Sequence, residues 1–189
     1  MSDQMINEEK FLSLRDMVLI GVMCAVTCVL GPISIPLPFS PVPISLTNFV
    51  ICISAYVLGT KKGTLSCILY LLIGLAGLPV FSGFSGGAAK MLGPTGGYLI
   101  GFIFQAVIAG LFIDRFPKKR LVHILGMAAG VACCYLFGTL WLAHESGNTF
   151  LYSIRIGVVP YLPGDAVKIA AASLIGPKLR QAVRRGREA

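Results

Sequence analysis

"GYLIGFIFQAVIAGLFID", residues 97–114, is an apolar stretch whose one charged residue, Asp114, stands at its end. A helix needs about 20 predominantly apolar residues to cross the hydrocarbon core of a bilayer. This stretch therefore predicts a transmembrane span. The composition extends the prediction to the whole chain, because its 189 residues are 56% hydrophobic and 13% charged, with a mean hydropathy of +0.82. A soluble domain carries about a quarter charged residues.

Five further apolar segments accompany the first. Together they predict an all-α, polytopic membrane protein with six transmembrane helices in a compact bundle, forming a single membrane domain over residues 1–189. The predicted segments are residues 14–31, 45–59, 63–79, 97–114, 121–143 and 157–176. The second is short for a span, so five spans with one re-entrant segment stay open as an alternative. Residues 1–12 and 177–189 are predicted to be a cytoplasmic N-terminal segment and a basic cytoplasmic tail.

The basic residues fall almost entirely on one side of the predicted bundle. Thirteen of the sixteen lie in the terminal regions and in the second and fourth loops: Lys10, Arg15, Lys61, Lys62, Arg115, Lys118, Lys119, Arg120, Lys178, Arg180, Arg184, Arg185 and Arg187. Lys90 and Arg155 lie on the other side, and Lys168 lies inside the sixth segment. Because cytoplasmic loops are enriched in Lys and Arg, both termini are predicted to be cytoplasmic. The net charge of +8 then needs no nucleic-acid partner.

Several function classes lack their motifs in this sequence. It contains no HExxH and no paired intramembrane carboxylates, so no catalytic residue, metal site or cofactor is expected. It also contains no GxxxxGK[ST] motif, so any ATP-driven step needs a partner. A membrane enzyme acting on a lipid or prenyl substrate remains a competing hypothesis, although Asp165 is the one acid it could use.

The outer loops are rich in proline and glycine yet apolar. Nine of the eleven prolines fall there, notably in "PISIPLPFSPVPISL" (32–46) and "LPVFSGFSGGAAKMLGPTGG" (78–97). Since proline lowers the entropy lost on ordering, these loops are predicted to form structured lids over a buried site near the outer face. Ordinary turns between helices are the alternative.

Two opposite charges interrupt the sixth segment. In "VVPYLPGDAVKIAAASLIG" (158–176), Pro163-Gly164 can break and restart a helix, which places Asp165 in its first turn. Lys168 follows three residues later on the same face and can pair with Asp165. A salt-bridged helix cap would explain the pair structurally. Intramembrane ionisable residues are expensive, however, and they indicate a binding site by default.

Other polar and aromatic residues on the outer side complete the candidate site. Asn48 brings an amide, Lys90 a cation, and Tyr98 a hydroxyl. An apolar wall is expected from Phe81, Phe84, Tyr161 and Trp141. An ionised Asp accepts hydrogen bonds from N–H groups, Asn48 can donate to a carbonyl, and Lys90 or Lys168 can meet a carboxylate. The expected ligand has a urea-like head, an apolar body and an acidic tail.

Two stretches together resemble a known family. "GGAAKMLGPTGGYLIGF" (86–102) and "PYLPGDAVK" (160–168) are similar to the BioY family, the biotin-binding S components of energy-coupling-factor (ECF) transporters. "PVPISLTN" (41–48) and "VLGTKKGTLSCILYLLIGLAGLPVFSG" (57–83) resemble it too, so the likeness covers about residues 30–180. Many family members carry glutamine where this chain has Asn48.

The resemblance implies a high-affinity biotin-binding subunit of an ECF-type ABC transporter in a bacterial-type plasma membrane. Its partners would be a transmembrane coupling protein and two ATPase subunits. Carried over by position, the resemblance marks Asn48, Lys90, Tyr98, Asp165 and Lys168 as candidate biotin contacts. Phe84 of the apolar wall is the sixth candidate. A stand-alone secondary biotin carrier using the same site is the alternative function.

The resemblance also implies a partner-facing pattern on the first helix. S components often carry AxxxA there, which lets the coupling protein pack closely. In this chain "GVMCAVTC" (21–28) supplies the small pairs Gly21/Ala25 and Cys24/Cys28 instead. Small residues permit close helix approach, so these four are the candidate interface, with ordinary packing inside the bundle as the alternative.

Overall fold

The computed structural model describes residues 13–117 and 119–188, with side chains described as far as Arg185. The predictions for residues 1–12, including Lys10, and those for Lys118 and the Arg187 side chain lie outside these described parts. The described helices are α1 (Leu14–Leu30), α2 (Thr47–Leu75), α3 (Ala88–Leu92), α4 (Gly96–Arg115), α5 (Arg120–Ser146), α6 (Phe150–Gly157) and α7 (Leu162–Glu188). Two strands, β1 (Ser34–Leu37) and β2 (Ser40–Ser45), and a 3₁₀ turn (Val159–Tyr161) accompany them.

The architecture is that of a helical membrane protein, as predicted. In the described parts of the chain, four helical stretches are long and apolar enough to cross a membrane: Thr47–Leu75, Gly96–Arg115, Arg120–Ser146 and Phe150–Arg185. Helix α1 matches the first predicted segment to within one residue. The antiparallel β1–β2 hairpin, with Ile35 paired to Ile44, departs from the all-α prediction.

Helix α2 covers most of two predicted segments, 45–59 and 63–79. The chain reverses direction between them, at Gly59. Gly59 has φ +75° and ψ −172°, a conformation that glycine adopts without a Cβ penalty. Nine residues of continuous helix rise about 13.5 Å. A Cβ added to Gly63, however, would lie 3.4 Å from the carbonyl oxygen of Ser54, nine residues earlier. The two halves of α2 therefore pack antiparallel and correspond to segments 45–59 and 63–79.

Asp114, near the end of α4, holds this reversal. Its Oδ2 accepts hydrogen bonds from the Thr60 backbone N at 2.7 Å and from Thr60 Oγ1 at 2.8 Å. Its Oδ1 accepts from Arg180 Nη2 at 2.9 Å. The carboxylate thus caps the second half of α2 from a neighbouring helix and ties α4 to α7.

The second crossing of the bundle combines a strand with half a helix. Gln105, midway along α4, donates to the carbonyl oxygen of Asn48 near the start of α2. Thr60, in contrast, lies beside Asp114 near the end of α4. The first half of α2 therefore spans half the depth of the bundle, and β2 leads into it from the opposite end. The stretch made of β2 and the first half of α2 thus starts at the hairpin end of the bundle and turns at the opposite end. This geometry favours six crossings over a re-entrant segment.

The two ends of the bundle differ in charge. At the end where α1 begins, α2 reverses and α7 finishes, Lys62 pairs with Asp16 at 2.6 Å and Arg180 with Asp114. This end, called the basic end below, also carries Arg15, Lys61, Arg115, Lys119, Arg120, Lys178, Arg184 and Arg185. Lys90 and Arg155 lie toward the hairpin, at the other end. The described residues thus show the predicted charge asymmetry.

Glycines bring α4 and α5 close together. A Cβ on Gly101 would lie 2.9 Å from Cys134 Cα, and one on Gly130 would lie 3.0 Å from the Gln105 carbonyl oxygen. Small residues at such positions are how membrane helices approach closely. The close packing places Tyr135 of α5 opposite the start of α7.

Candidate functional site

Asp165 lies in the first turn of α7, as predicted, and only 4% of it is exposed. Helix α6 ends at Gly157 and the 3₁₀ turn follows, so the break comes a few residues before Pro163-Gly164. Pro163 is the second residue of α7, where proline is tolerated because the first N–H groups have no helical partner. The restart leaves Asp165 at a helix N-terminus inside the bundle.

Three donors from three helices hold the Asp165 carboxylate. Lys168 Nζ lies 2.8 Å from Oδ1, and Asn48 Nδ2 donates to Oδ2 at 3.0 Å. The Tyr135 hydroxyl also donates to Oδ2. A buried charge is tolerated when it is both paired and hydrogen-bonded. Because the two carboxylate oxygens offer about four acceptor positions, the cluster can still accept from a ligand.

Lys168 joins this cluster to the hairpin. Its Nζ donates to the carbonyl oxygen of Ser45, the last residue of β2, at 2.7 Å. With Asp165 as the second acceptor, two of the three ammonium donors are used, and one remains for a ligand. Lys168 therefore serves Asp165 first and still has a donor to offer.

The cluster faces a cavity beneath the β1–β2 hairpin. Its polar lining includes Ser45, Asn48, Thr95, Tyr135, Asp165 and Lys168, and its apolar lining includes Val42, Leu99 and Phe102. The cavity measures about 50 Å³. Small-molecule sites usually measure about 300–1,000 Å³. A ligand therefore enters only if part of the lining moves.

The hairpin is fastened over the cavity by Tyr161 of the 3₁₀ turn. The Tyr161 hydroxyl hydrogen-bonds the carbonyl oxygen of Val42 and, at 2.8 Å, the Ser40 Oγ. Together with the Lys168–Ser45 contact, these bonds connect β2 to the start of α7. The stretch 32–46 is thus a structured cover, as the proline pattern predicted.

The structure brings four of the six predicted ligand residues together. Asn48, Tyr98, Asp165 and Lys168 all line the cavity, and so does Tyr161 from the predicted apolar wall. Tyr98 presents its ring, because its hydroxyl donates to the carbonyl oxygen of Gly157 at 3.0 Å. The phenol therefore also fixes the end of α6.

Phe84 and Lys90 do not line this cavity. Phe84 is 70% exposed at a loop position with φ 53°, so its ring stands outside the enclosed space. Lys90, in α3, lines a neighbouring cavity of about 300 Å³. The two cavities share Pro43 and Ser82 in their linings, which makes them adjacent.

Two other predicted wall residues have structural contacts instead. Phe81 is fully buried, with its ring centroid 5.6 Å from that of Tyr70. Trp141 Nε1 donates to the Gly93 carbonyl oxygen at 3.0 Å and so anchors the loop before α4. Both residues shape the lid without lining the site.

Sequence reasoning missed Tyr135, Gln105 and Thr95. Tyr135 stands in the apolar stretch "GVACCYLFGTL" (130–140), where a buried hydroxyl needs a partner, and that signal could have found it. Gln105 Nε2 donates to the Asn48 carbonyl oxygen at 3.2 Å and supports the residue that contacts Asp165. Gln105 Oε1 and Thr95 Oγ1 are buried without a hydrogen-bond partner among the described residues. Thr95 therefore offers the cavity an unused hydroxyl.

The four residues of the predicted partner interface on α1 differ in burial. Gly21 and Ala25 are exposed, and a Cβ on Gly21 would have nothing within 4 Å. Cys24 is buried in the core of the bundle, and Cys28 is half-buried against it. Gly21 and Ala25 are thus open to a partner, whereas Cys24, three residues after Gly21, is committed to internal packing.

Comparison with known proteins identifies the family of this chain. The model of the BioY family matches residues 3–185. The chain belongs to the BioY family. "Biotin transporter BioY" of Thermotoga maritima is 38% identical over 172 residues, which are 89% of this chain and 97% of that protein. "Probable biotin transporter BioY" of Pyrococcus horikoshii is 39% identical over 166 residues, 88% of this chain and 96% of that protein.

A solved structure resembles the fold as well. It is described as the S-component for biotin from an ECF-type ABC transporter, and it matches with a TM-score of 0.83 at 33% sequence identity. The match covers 88% of this chain and 91% of that one. The six-crossing bundle described above is therefore the BioY fold.

Proposed function

We propose that this chain is the biotin-binding S component, the specificity subunit, of an ECF-type ABC transporter. The observation that carries the proposal is the buried Asp165 cluster, which faces a covered cavity in a BioY-family chain. The sequence has no P-loop, so ATP hydrolysis belongs to partner subunits. The chain acts as a binding protein, with biotin as its transported ligand and no cofactor of its own.

The polar cluster suits the ureido ring of biotin, which has two N–H donors and one carbonyl. Asp165 accepts from a ring N–H group, since its carboxylate has about one acceptor position left. The ring carbonyl accepts from the Asn48 amide or from the third Lys168 proton. The binding residues proposed for this end are Asn48, Asp165 and Lys168, joined by Tyr135 as a donor that orients Asp165.

The apolar body and acidic tail lead away from the cluster. Tyr98, Leu99 and Phe102 line the cavity and suit the thiophane ring. Lys168 is already engaged by Asp165 and Ser45, so Lys90 is the better partner for the valerate carboxylate. The adjacency of the Lys90 cavity to the main one supports this assignment.

Binding widens the site. The enclosed space of about 50 Å³ is smaller than a typical small-molecule pocket. The hairpin is held by the Tyr161 and Lys168 contacts, so release of these bonds is the route by which biotin enters.

The chain crosses a bacterial-type plasma membrane several times, with both termini in the cytoplasm. Its partners are a transmembrane coupling protein and two ATPase subunits. The outward face of α1, with Gly21 and Ala25, is the proposed contact for the coupling protein. Nucleic acid plays no part.

Two measurements test the proposal: the identity of the ligand bound to the purified protein, and the biotin affinity of variants in the cluster. Protein purified from cells grown in rich medium, then denatured, should release biotin that mass spectrometry identifies. In titration calorimetry on detergent-purified protein, Asp165→Asn and Lys168→Ala should each weaken biotin binding by about 1–3 kcal/mol or more, the effect of losing a charged partner.

Glu145→Gln removes one acid from an exposed position and is the matched control, which should bind like the wild type. Wild-type affinity in both cluster variants would remove the site. Accumulation of labelled biotin in liposomes without the ATPase partners would favour the stand-alone carrier.

A further inference from the structure

A second cavity lies at the basic end, on the opposite side of the bundle from the candidate biotin site. It measures about 370 Å³ and opens between the start of α5 and the C-terminal part of α7. The residues that matter in its lining are Tyr56, Arg120, His123, Arg180 and Arg184. Three arginines around one cavity make a site for an anion with several oxygens.

The positive charge of this cavity is only partly compensated. Arg180 is paired with Asp114 at 2.9 Å. Asp16, which lines a smaller cavity next to it, is paired with Lys62. Arg120 and Arg184 have no ion pair with any residue that the structure describes. Two guanidinium groups are therefore available to a ligand.

Two buried polar atoms in the lining also lack partners. His123 is 4% exposed; its Nε2 bonds to the Phe116 carbonyl oxygen at 2.8 Å, but its Nδ1 has no hydrogen-bond partner among the described residues. The Tyr56 hydroxyl, on a residue that is 1% exposed, has none either. The two rings meet edge-on with centroids 5.4 Å apart. Buried polar groups are nearly always satisfied, so the Tyr56 hydroxyl, which can donate to an anion, indicates a ligand that completes it.

The position of the cavity indicates where that ligand comes from. It lies where the apolar stretches of α5 and α7 end, the depth at which lipid headgroups lie. Exposed apolar side chains occur farther along the same two helices, toward the bilayer centre, among them Leu125 on α5 and Leu174 on α7. The cavity therefore lies where the phosphate of an amphiphilic molecule would lie, with its acyl chains in the bilayer.

We propose that this cavity binds the phosphate group of an anionic phospholipid such as phosphatidylglycerol. Arg120 and Arg184 supply bidentate donors to the phosphate oxygens, and the Tyr56 hydroxyl supplies a buried one. Basic pockets between helices on the cytoplasmic side of a membrane are suited to such headgroups. The inference concerns the opposite end of the molecule from the biotin site and does not depend on the proposed function.

Native mass spectrometry of the full chain tests it, after incubation in detergent with phosphatidylglycerol, phosphatidylcholine or inorganic phosphate. The wild type should retain phosphatidylglycerol in preference to the other two. The double variant Arg120→Gln/Arg184→Gln should lower phosphatidylglycerol affinity by at least about tenfold, because the two bidentate guanidinium contacts to the phosphate are lost. Tyr56→Phe, which removes one hydroxyl, should lower it less, and it carries the test if the double variant fails to fold.

The matched control is Lys178→Gln/Arg185→Gln, which removes the same charge from the same end without touching the lining. It should retain lipid within about twofold of the wild type. Equal losses in the two double variants would reduce the effect to surface charge and overturn the proposal. Equal retention of inorganic phosphate would overturn the lipid as the source. If Arg120→Gln/Arg184→Gln retained lipid like the wild type but bound the coupling protein more weakly, the cavity would be a contact for a protein partner. That result would overturn the lipid proposal as well.

Discussion

Asp165 shows how a charge is made tolerable inside a membrane bundle. Its carboxylate receives donors from α2, α5 and α7, so a single side chain connects three helices that are far apart in the sequence. The residue is therefore both a structural junction and the group best placed to accept from a ligand. Thermal stability and ligand affinity, measured together, separate the two roles.

Lys90 supports a prediction that distinguishes the two lysines. Lys90→Ala should weaken biotin binding by about 1 kcal/mol or more, because a charge-assisted hydrogen bond to the carboxylate is lost. It should leave the binding of biotin methyl ester nearly unchanged, since the ester has no anionic tail. Calorimetric titration with both ligands measures the difference.

Lys168→Ala is the comparison for that experiment. Because Lys168 holds Asp165 and the hairpin, its loss should weaken both ligands alike. If Lys90→Ala also affected acid and ester equally, the carboxylate would have another partner.

At this scale the sequence predicted which polar residues cluster at the cavity better than it predicted the rest of the lining. Asp165, Lys168 and Asn48 could be predicted because a charge or amide in an apolar segment is unusual. Phe84 could not be excluded, because a phenylalanine in a glycine-rich loop can point inward or outward with equal ease. Tyr135 and Gln105 act through contacts across helices, and no spacing along the chain reveals those.

Among the elements, the combination of β2 with half of α2 is the least ordinary. Backbone groups at membrane depth must be satisfied by the protein itself, so non-helical segments occur there only where they are buried or line a cavity. Strand β2 meets this condition through its pairing with β1 and through bonds from Tyr161 and Lys168. This arrangement explains why the second predicted segment, residues 45–59, is too short to be a helical span by itself.

The reversal of α2 supports a prediction about stability. Asp114→Ala should lower the stability by about 1–3 kcal/mol, because it leaves the Thr60 N–H and Arg180 without their shared acceptor. Gly59→Ala should destabilise as well, since its φ is +75° and the new Cβ would lie 2.7 Å from Asp114 Oδ2. Thermal unfolding in detergent measures both.

Glu145→Ala, at an exposed acid, serves as the control for these variants and should unfold like the wild type. An Asp114→Ala protein as stable as the control would show that the reversal holds without its cap. The sequence predicted two segments here but not the one-residue turn, because glycine alone does not specify which positive-φ conformation it adopts.

For the molecule as a whole, the asymmetry of charge was the most reliable guide. It predicted that the chain ends, the α2 reversal and the α4–α5 connection share one end, and ion pairs join residues from these segments in the structure. The β1–β2 hairpin and the small cavity beneath it could not be predicted in detail, because they depend on contacts between the first and last quarters of the chain.

The outward face of α1 supports a prediction about assembly. Gly21→Leu/Ala25→Leu should weaken association with the coupling protein at least about tenfold, because bulky side chains block close helix approach. Biotin binding should not change, since neither residue lines the cavity. Co-purification with the ATPase module and a biotin titration measure the two properties.

Val167→Leu adds bulk at an exposed position on another helix, α7, and should leave assembly intact. If Gly21→Leu/Ala25→Leu associated with the coupling protein as well as the control does, that protein would have to contact another face of the bundle.

The Lys168–Ser45 and Tyr161–Val42 bonds also bear on how the protein is made. Strand β2 emerges early from the ribosome, whereas the residues that fasten it belong to the final helix and the turn before it. Until the chain has been translated through Lys168, the two bonds cannot both anchor the strand, and the Asp165 cluster is incomplete. Vitamin recognition is thus acquired late in synthesis, and a truncation that removes the start of α7 abolishes it.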